Sequence, residues 1–138
     1  MPEKIRRVDY FYFWVEDRPG EAARLLGKLK GAQVNLLSFN AFPGGGGQSQ
    51  LTVVPEKPET FDAAAKNAGV NPAGRRECFL VQGDDHAGAA HDVLRRLAEA
   101  KVNCIASNGC SAAGGSFGMV IFVKPGDLPA ASQALGVR

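Results

Sequence analysis

Slid along itself, the chain shows an internal repeat. At an offset of 68 residues it aligns without a gap from Arg7 on Arg75 to the C-terminus. The identities include Phe11 with Phe79, Asp17 with Asp85, Gly20 with Gly88, Leu26 with Leu94, Leu29 with Leu97, Val34 with Val102, Asn35 with Asn103, Asn40 with Asn108 and Gly46-Gly47 with Gly114-Gly115. They fall where turns, helix faces and strand starts need particular residues. The chain therefore reads as a duplicated domain, residues 1–74 and 75–138.

Each copy reads strand, helix, strand, strand, helix. Val8 to Val15 is aromatic and β-branched, and Glu77 to Gln82 repeats that character, so both copies open with a strand. Pro19 suits a first helical position, and Ala22, Leu26 and Leu29 make an apolar stripe with Arg24 and Lys28 outside it. In the second copy Ala90, Val93, Leu94, Leu97 and Ala98 line one face while Arg95, Arg96 and Glu99 point away, the pattern of a helix lying on a sheet. Two strands follow in each copy, 34–42 with 51–54 and 102–107 with 117–123, joined by glycines. A last helix is expected over 59–68, and its counterpart over 128–135 accepts Pro129 only in the first turn.

Alternation sends Tyr10, Tyr12 and Trp14 to one side of the opening strand and Phe11, Phe13 and Val15 to the other. Both sides are apolar. Helices cover one face of such a sheet, so the other is expected to meet a second sheet, a neighbouring chain or a ligand. The repeat also predicts an asymmetry. The first copy runs on through Val70 into the strand ending at Gln82, whereas Val70 aligns with Arg138. The second copy lacks a last strand of its own, and a strand shared between copies or borrowed from a partner is expected to close its sheet.

Asp17-Arg18-Pro19-Gly20, followed one helix later by Val34-Asn35-Leu36, resembles the signature of the ACT domain, a ferredoxin-like βαββαβ regulatory module. The second copy supplies Asp85-His86-Ala87-Gly88 and Val102-Asn103-Cys104. The resemblance spans nearly the whole chain and looks most like small stand-alone tandem ACT proteins. It implies an α+β fold of two tandem ferredoxin-like modules, with antiparallel sheets, helices on one face and no last strand in the second module. In members that bind amino acids, the loop after the first strand and the polar residue opening the second strand touch the ligand. The matching positions are Asp17, Arg18, Pro19, Gly20 and Asn35, and Asp85, His86, Gly88 and Asn103. His86-Ala87 in place of Arg18-Pro19 departs from the pattern.

Elementary chemistry supports the same positions. Proline disfavours helical geometry in the residue before it, which makes Arg18 the expected N-cap and leaves Asp17 just outside the helix, free to take an ammonium group. First-turn N–H groups attract a carboxylate, and Gly20 allows close approach of a ligand to the backbone. Asn35 can donate and accept. The plainer reading is that Asp17 favours the positive end of the helix and Asn35 fixes a turn.

Other motifs weigh little. Gly44 to Gly47 lacks the Lys-Ser/Thr and following helix of a phosphate loop and suits a hairpin turn. Gly109-Cys110-Ser111-Ala112-Ala113-Gly114 resembles a nucleophile elbow with one residue too many and no helix behind it. His86 and His91 lack the i, i+4 spacing of a metal pair, and Asp84-Asp85-His86 finds no further converging ligands. Cys78, Cys104 and Cys110 have no CxxC spacing and read as reduced, buried residues. An RNA-recognition strand at Gly115 to Phe122 is the main competitor. It fails at Gly115 and Met119, and a net charge of +2 offers little attraction for phosphate.

With 45% apolar residues, no apolar run near 20 residues and no secretory leader, the chain is expected to fold as a cytoplasmic protein away from membranes. No nucleophile, base and electrophile set converges in the sequence, so no catalytic residue, cofactor or metal is assigned. The expectation is a non-enzymatic regulatory protein binding a small molecule, an amino acid, and acting through ligand-dependent association. Its partners would be a second copy in a homodimer and a separate metabolic enzyme or regulator. The alternatives are a ligand-free structural or regulatory partner subunit and, behind it, a single-stranded RNA binder.

Overall fold

The structure is a computed structural model describing residues 3–137. The elements are β1 (Lys4–Glu16), α1 (Glu21–Gly31), β2 (Leu36–Gly45), β3 (Gln48–Pro55), α2 (Pro58–Asn67), β4 (Gly74–Asp84), α3 (Ala89–Glu99), β5 (Ala106–Ala112), β6 (Ser116–Phe122), a 3-10 turn at Pro125–Asp127 and α4 (Leu128–Leu135). This is an α+β fold. The pairs β1/β3, β2/β3, β4/β6 and β5/β6 are all antiparallel.

The chain divides into two compact units. The first is Asp9–Arg76; the second takes the described residues up to Val8 together with those from Glu77 onward. Strands in the first unit run in the order β2-β3-β1-β4, with β4 giving only its opening residues. In the second the order is β1-β4-β6-β5, and β1 contributes Lys4 to Val8. A cut at residue 74 leaves residues 3–8 with the first copy, whereas the structure places them in the second unit. Ile5 packs on the second core, Arg7 pairs with Glu77 and Glu3 pairs with Arg96.

Each core lies between one sheet face and two helices. In the first unit Phe11, Phe13 and Val15 of β1 and Leu51 and Val53 of β3 meet Leu25 and Leu29 of α1 and Phe61 and Ala65 of α2. The Phe11 and Phe61 rings sit 4.2 Å apart. Truncating a fully buried Phe61 to alanine costs about 3–5 kcal/mol. The second core repeats the plan with Phe79, Val81, Met119 and Ile121 against Val93 and Leu97 of α3 and Leu128, Ala131 and Leu135 of α4. Register ties the faces together, because Phe11 pairs with Val53 and Phe79 with Ile121. In α1 the deepest residues are Leu25 and Leu29. The expected stripe of Ala22, Leu26 and Leu29 is thus rotated toward Leu25.

Tyr10, Tyr12 and Trp14 occupy the side of β1 opposite Phe11 and Phe13. Glycines make room for two of the rings. A Cβ on Gly44 would lie 2.5 Å from Trp14 Cζ3, and one on Gly74 would lie 2.4 Å from Tyr12 Oη. Trp14 and Phe42 remain 45% and 47% exposed.

One further boundary and the burial of two cysteines differ from the sequence reading. The expected strand over 102–107 starts instead at Ala106, because Val102 turns back to donate to the Leu97 carbonyl at the end of α3. Of the three cysteines only Cys78 is buried; Cys104 is partly buried and Cys110 is exposed on β5. Small residues on an edge strand gain no cover from the helices. No helix among the described residues is long and apolar enough to cross a membrane.

Candidate functional site

The two loops that open the helices share one geometry. The Asp17 N–H donates to the Gly47 carbonyl at 2.9 Å, and the Asp85 N–H donates to the Gly115 carbonyl at 2.8 Å. Each loop is therefore pinned to the tip of its own hairpin. Those tips need left-handed backbone, with φ of 64° and 77° at Gly46 and Gly47 and 84° and 76° at Gly114 and Gly115. Gly44 to Gly47 is accordingly the β2–β3 hairpin end, and Gly109 to Gly114 is strand and turn.

The N-caps are Gly20 (φ 89°, ψ −11°) and Gly88 (φ 85°, ψ 7°), and no side chain caps either helix. This corrects the expectation of Arg18 as N-cap with Pro19 opening the helix. Swinging the chain from the pinned loop into the helix takes a left-handed residue, which glycine adopts without the steric cost other residues meet. Arg18 instead faces Glu16 at 2.9 Å and Glu21 at 3.7 Å, and Arg24 reaches Glu21 at 3.1 Å. The hydrogen bond from Arg24 holds the Glu21 carboxyl below its ordinary range, burial opposes this, and the charges of Arg24 and Arg18 add to the lowering. The carboxylates of Asp17 and Asp85 have no hydrogen-bond or ion-pair partner among the described residues. His86 is exposed, with Nδ1 3.0 Å from the Ala87 carbonyl, and His91 pairs with Asp92.

Asn35 lies elsewhere. Glu16 pairs with Gln48 at the hairpin end of the sheet, whereas Leu36 pairs with Pro55 at the other end, where the Glu56 N–H donates to the Asn35 carbonyl at 2.9 Å. With a rise of about 3.3 Å per residue, the 10 residues of β2 put roughly 30 Å between the two positions. Asp17, Arg18, Pro19 and Gly20 come together in one loop, and Asn35 is not brought to them. In the second unit Asp85, His86 and Gly88 share a loop, while Asn103 is exposed ahead of β5.

Beside Asn35 the structure shows a cavity of about 100 Å³, lined by Gln33, Asn35, Glu56, Lys57, Thr60 and Phe61 among others. Of these the sequence had singled out only Asn35. The rest come from the end of α1, the end of β3 and the start of α2, and no spacing motif links them. Among the described residues no group of three or more His, Cys, Asp or Glu side chains is placed to hold a metal ion.

No family model and no curated protein matches the chain. Solved structures do. Protein BT0572 from Bacteroides thetaiotaomicron superposes with a TM-score of 0.77 at 15% identity, over 94% of this chain and 87% of that one. The ligand-free regulatory subunit of aspartate kinase from Thermus thermophilus gives 0.64 at 12% identity, over 97% and 94%. Escherichia coli aspartokinase III, in complex with aspartate and ADP, gives 0.57 at 16% identity, over 96% of this chain and 32% of that one. The likeness is one of backbone, and with it the chain shows the ACT-type fold of these proteins, the fold that its loop and strand-start motifs resemble.

Proposed function

We propose that this chain is a non-catalytic regulatory protein of two ACT-type modules, residues 1–74 and 75–138 by sequence, that binds a small molecule, an amino acid, at its Asp17–Gly20 loop. The observation that carries the reading is the loop itself. It joins an Asp17 carboxylate without a partner among the described residues to a helix start that no side chain caps, with Gly20 leaving the backbone open. Such a loop offers an acceptor for an ammonium group and donors for a carboxylate. The Asp85–Gly88 loop repeats it. The regulatory subunits among the solved neighbours support the same reading.

Asp17 and Asn35 stand at opposite ends of the first unit, so the two chains of a homodimer would have to supply them to one ligand. Asp85 and Asn103 follow the same rule. Occupancy would then favour one association state over another, which is the differential affinity that regulation of a metabolic enzyme requires. The protein acts in the cytoplasm in this reading.

The test is thermal stability against the twenty amino acids, common nucleotides and single-stranded RNA. A ligand at 100 times its Kd adds about 2.7 kcal/mol. The reading expects an amino acid to stabilise the wild type and not Asp17→Ala. Stabilisation by RNA alone would replace it with a nucleic-acid binder, and no shift with any of them would favour a ligand-free partner subunit.

A further inference from the structure

We propose that β5 is a self-pairing edge, through which two copies of this chain join antiparallel, β5 against β5, about a two-fold axis at Gly109. The inference rests on the homodimer invoked above for its partner and takes nothing from either loop's ligand. β5 ends the strand order of the second unit and has a neighbour only on the β6 side among the described residues. All seven of its residues are exposed. Edge strands are ordinarily guarded against pairing by charges, proline, bulges or a covering element. Ala106–Ala112 carries no charge and no proline, and its register with β6 runs unbroken from Ala106 with Phe122 to Ala112 with Ser116.

The strand itself specifies what pairs with it. Ala106-Ser107-Asn108-Gly109-Cys110-Ser111-Ala112 reads nearly the same in both directions about Gly109. An axis there sets Ala106 against the partner's Ala112, Ser107 against the partner's Ser111 and Asn108 against the partner's Cys110. Small residues meet small residues, and the surface is complementary to itself, as an interface between identical copies requires. The faces agree as well. Ser107, Gly109 and Ser111 alternate with the other four residues, and Gly109 pairs with the core residue Met119, so an axis on a residue keeps each face with its like. A slip by one residue would oppose them.

The Ser107 hydroxyl already donates to the Val120 carbonyl at 2.9 Å, so main-chain hydrogen bonds and the absence of bulky side chains carry the contact. The property belongs to β5 and not to the repeat. The matching positions of the first copy, 38–44, read Ser-Phe-Asn-Ala-Phe-Pro-Gly, without the symmetry, and β2 has register shifts near both ends.

The experiment is cross-linking of the full chain by oxidised glutathione in a Cys104→Ser background, read on non-reducing gels. The register puts position 108 opposite the partner's Cys110, with Cα atoms about 4.5–5.5 Å apart, a span a disulfide bridges. The two copies of Cys110 lie diagonally at about 7–8 Å, beyond its reach. Asn108→Cys should therefore form covalent dimers about tenfold faster than the parent, or more, because its thiols are held in position. Ala106→Cys, which faces the partner's Ala112, should stay at the parent rate. In sedimentation of the reduced protein, the edge charge of Cys110→Lys should weaken the dimer about tenfold or more. Position 110 is exposed, and an unchanged melting temperature verifies that this variant folds. Fastest cross-linking by Ala106→Cys would move the axis to residue 108 and overturn the register. No acceleration by either variant, a dimer indifferent to Cys110→Lys, or a monomer at every concentration would overturn the edge. The ligand reading would then still stand or fall on its own thermal screen.

Discussion

The Arg7 guanidinium grips the Glu77 carboxylate with two hydrogen bonds, Nε to Oε2 at 2.9 Å and Nη2 to Oε1 at 3.0 Å. Its third nitrogen donates to the Ser132 hydroxyl at 3.3 Å. At the equivalent positions Arg75 donates to Asp9 at 2.8 Å. The first of these pairs lies in the second unit and the other in the first. β1 supplies the cation in one and the acid in the other, so the duplication kept one pair per unit with the roles of β1 and β4 exchanged.

Arg7 and Glu77 are both partly exposed, at 28% and 41%, so solvent screens them and their coupling is about 1 kcal/mol or less despite the bidentate geometry. A double-mutant cycle of Arg7→Met and Glu77→Gln in urea measures it; strictly additive effects would show that the pair contributes nothing. Removing residues 1–8 acts on a larger scale. It deletes the strand beside β4 and the Ile5 packing, and hydrogen exchange should speed up across 77–137 while 9–76 stays protected. Uniform loss in both units would contradict this division.

Gly44 and Gly74 both sit under aromatic rings, yet their substitution should differ in cost. The Trp14 ring over Gly44 is nearly half exposed and can swing away, so Gly44→Ala should cost under about 1 kcal/mol and register as increased quenching of the single tryptophan. Tyr12 is half-buried, with the Arg76 guanidinium 5.5 Å from its ring centre, and Gly74→Ala should cost about 1–3 kcal/mol. Equal melting temperatures for the two variants would refute the distinction.

The depressed Glu21 carboxyl makes a pH prediction. A group with a folded pKa below its unfolded value contributes stability fully above the unfolded value and loses it as pH falls through the folded one. Carboxyl NMR should place the Glu21 midpoint below a reference peptide's, and Arg24→Ala should raise it, since the Arg24 hydrogen bond is the main cause. A midpoint indifferent to Arg24 would remove that cause.

Thiol reactivity should rank Cys110, then Cys104, then Cys78. Burial pushes the Cys104 thiol up against hydrogen bonding with the Ala106 and Phe122 backbone, Cys110 is exposed, and Cys78 is fully buried. Timed alkylation with mass spectrometry checks this. Cys78 should react only on unfolding, and faster modification of Cys104 than of Cys110 would contradict the order.

Periodicity along the sequence determined a great deal. Alternation on β1 put Phe11 and Phe13 in a core, the 3.6-residue period of α3 put Val93 and Leu97 in another, and the paired glycines marked both hairpin tips. These features are local, so nearby residues encode them. What the tertiary structure decided is non-local. Nothing in the string Lys4 to Val8 says that it lies in the second unit, because a strand's pattern specifies its faces and leaves its neighbour to packing. Nor does the string say that Asp17 and Asn35 end up about 30 Å apart, or that Glu56, Lys57 and Thr60 gather around Asn35. Helix α1 carries the chain from one end of the sheet to the other, so residues one helix apart in sequence belong to opposite ends of the unit.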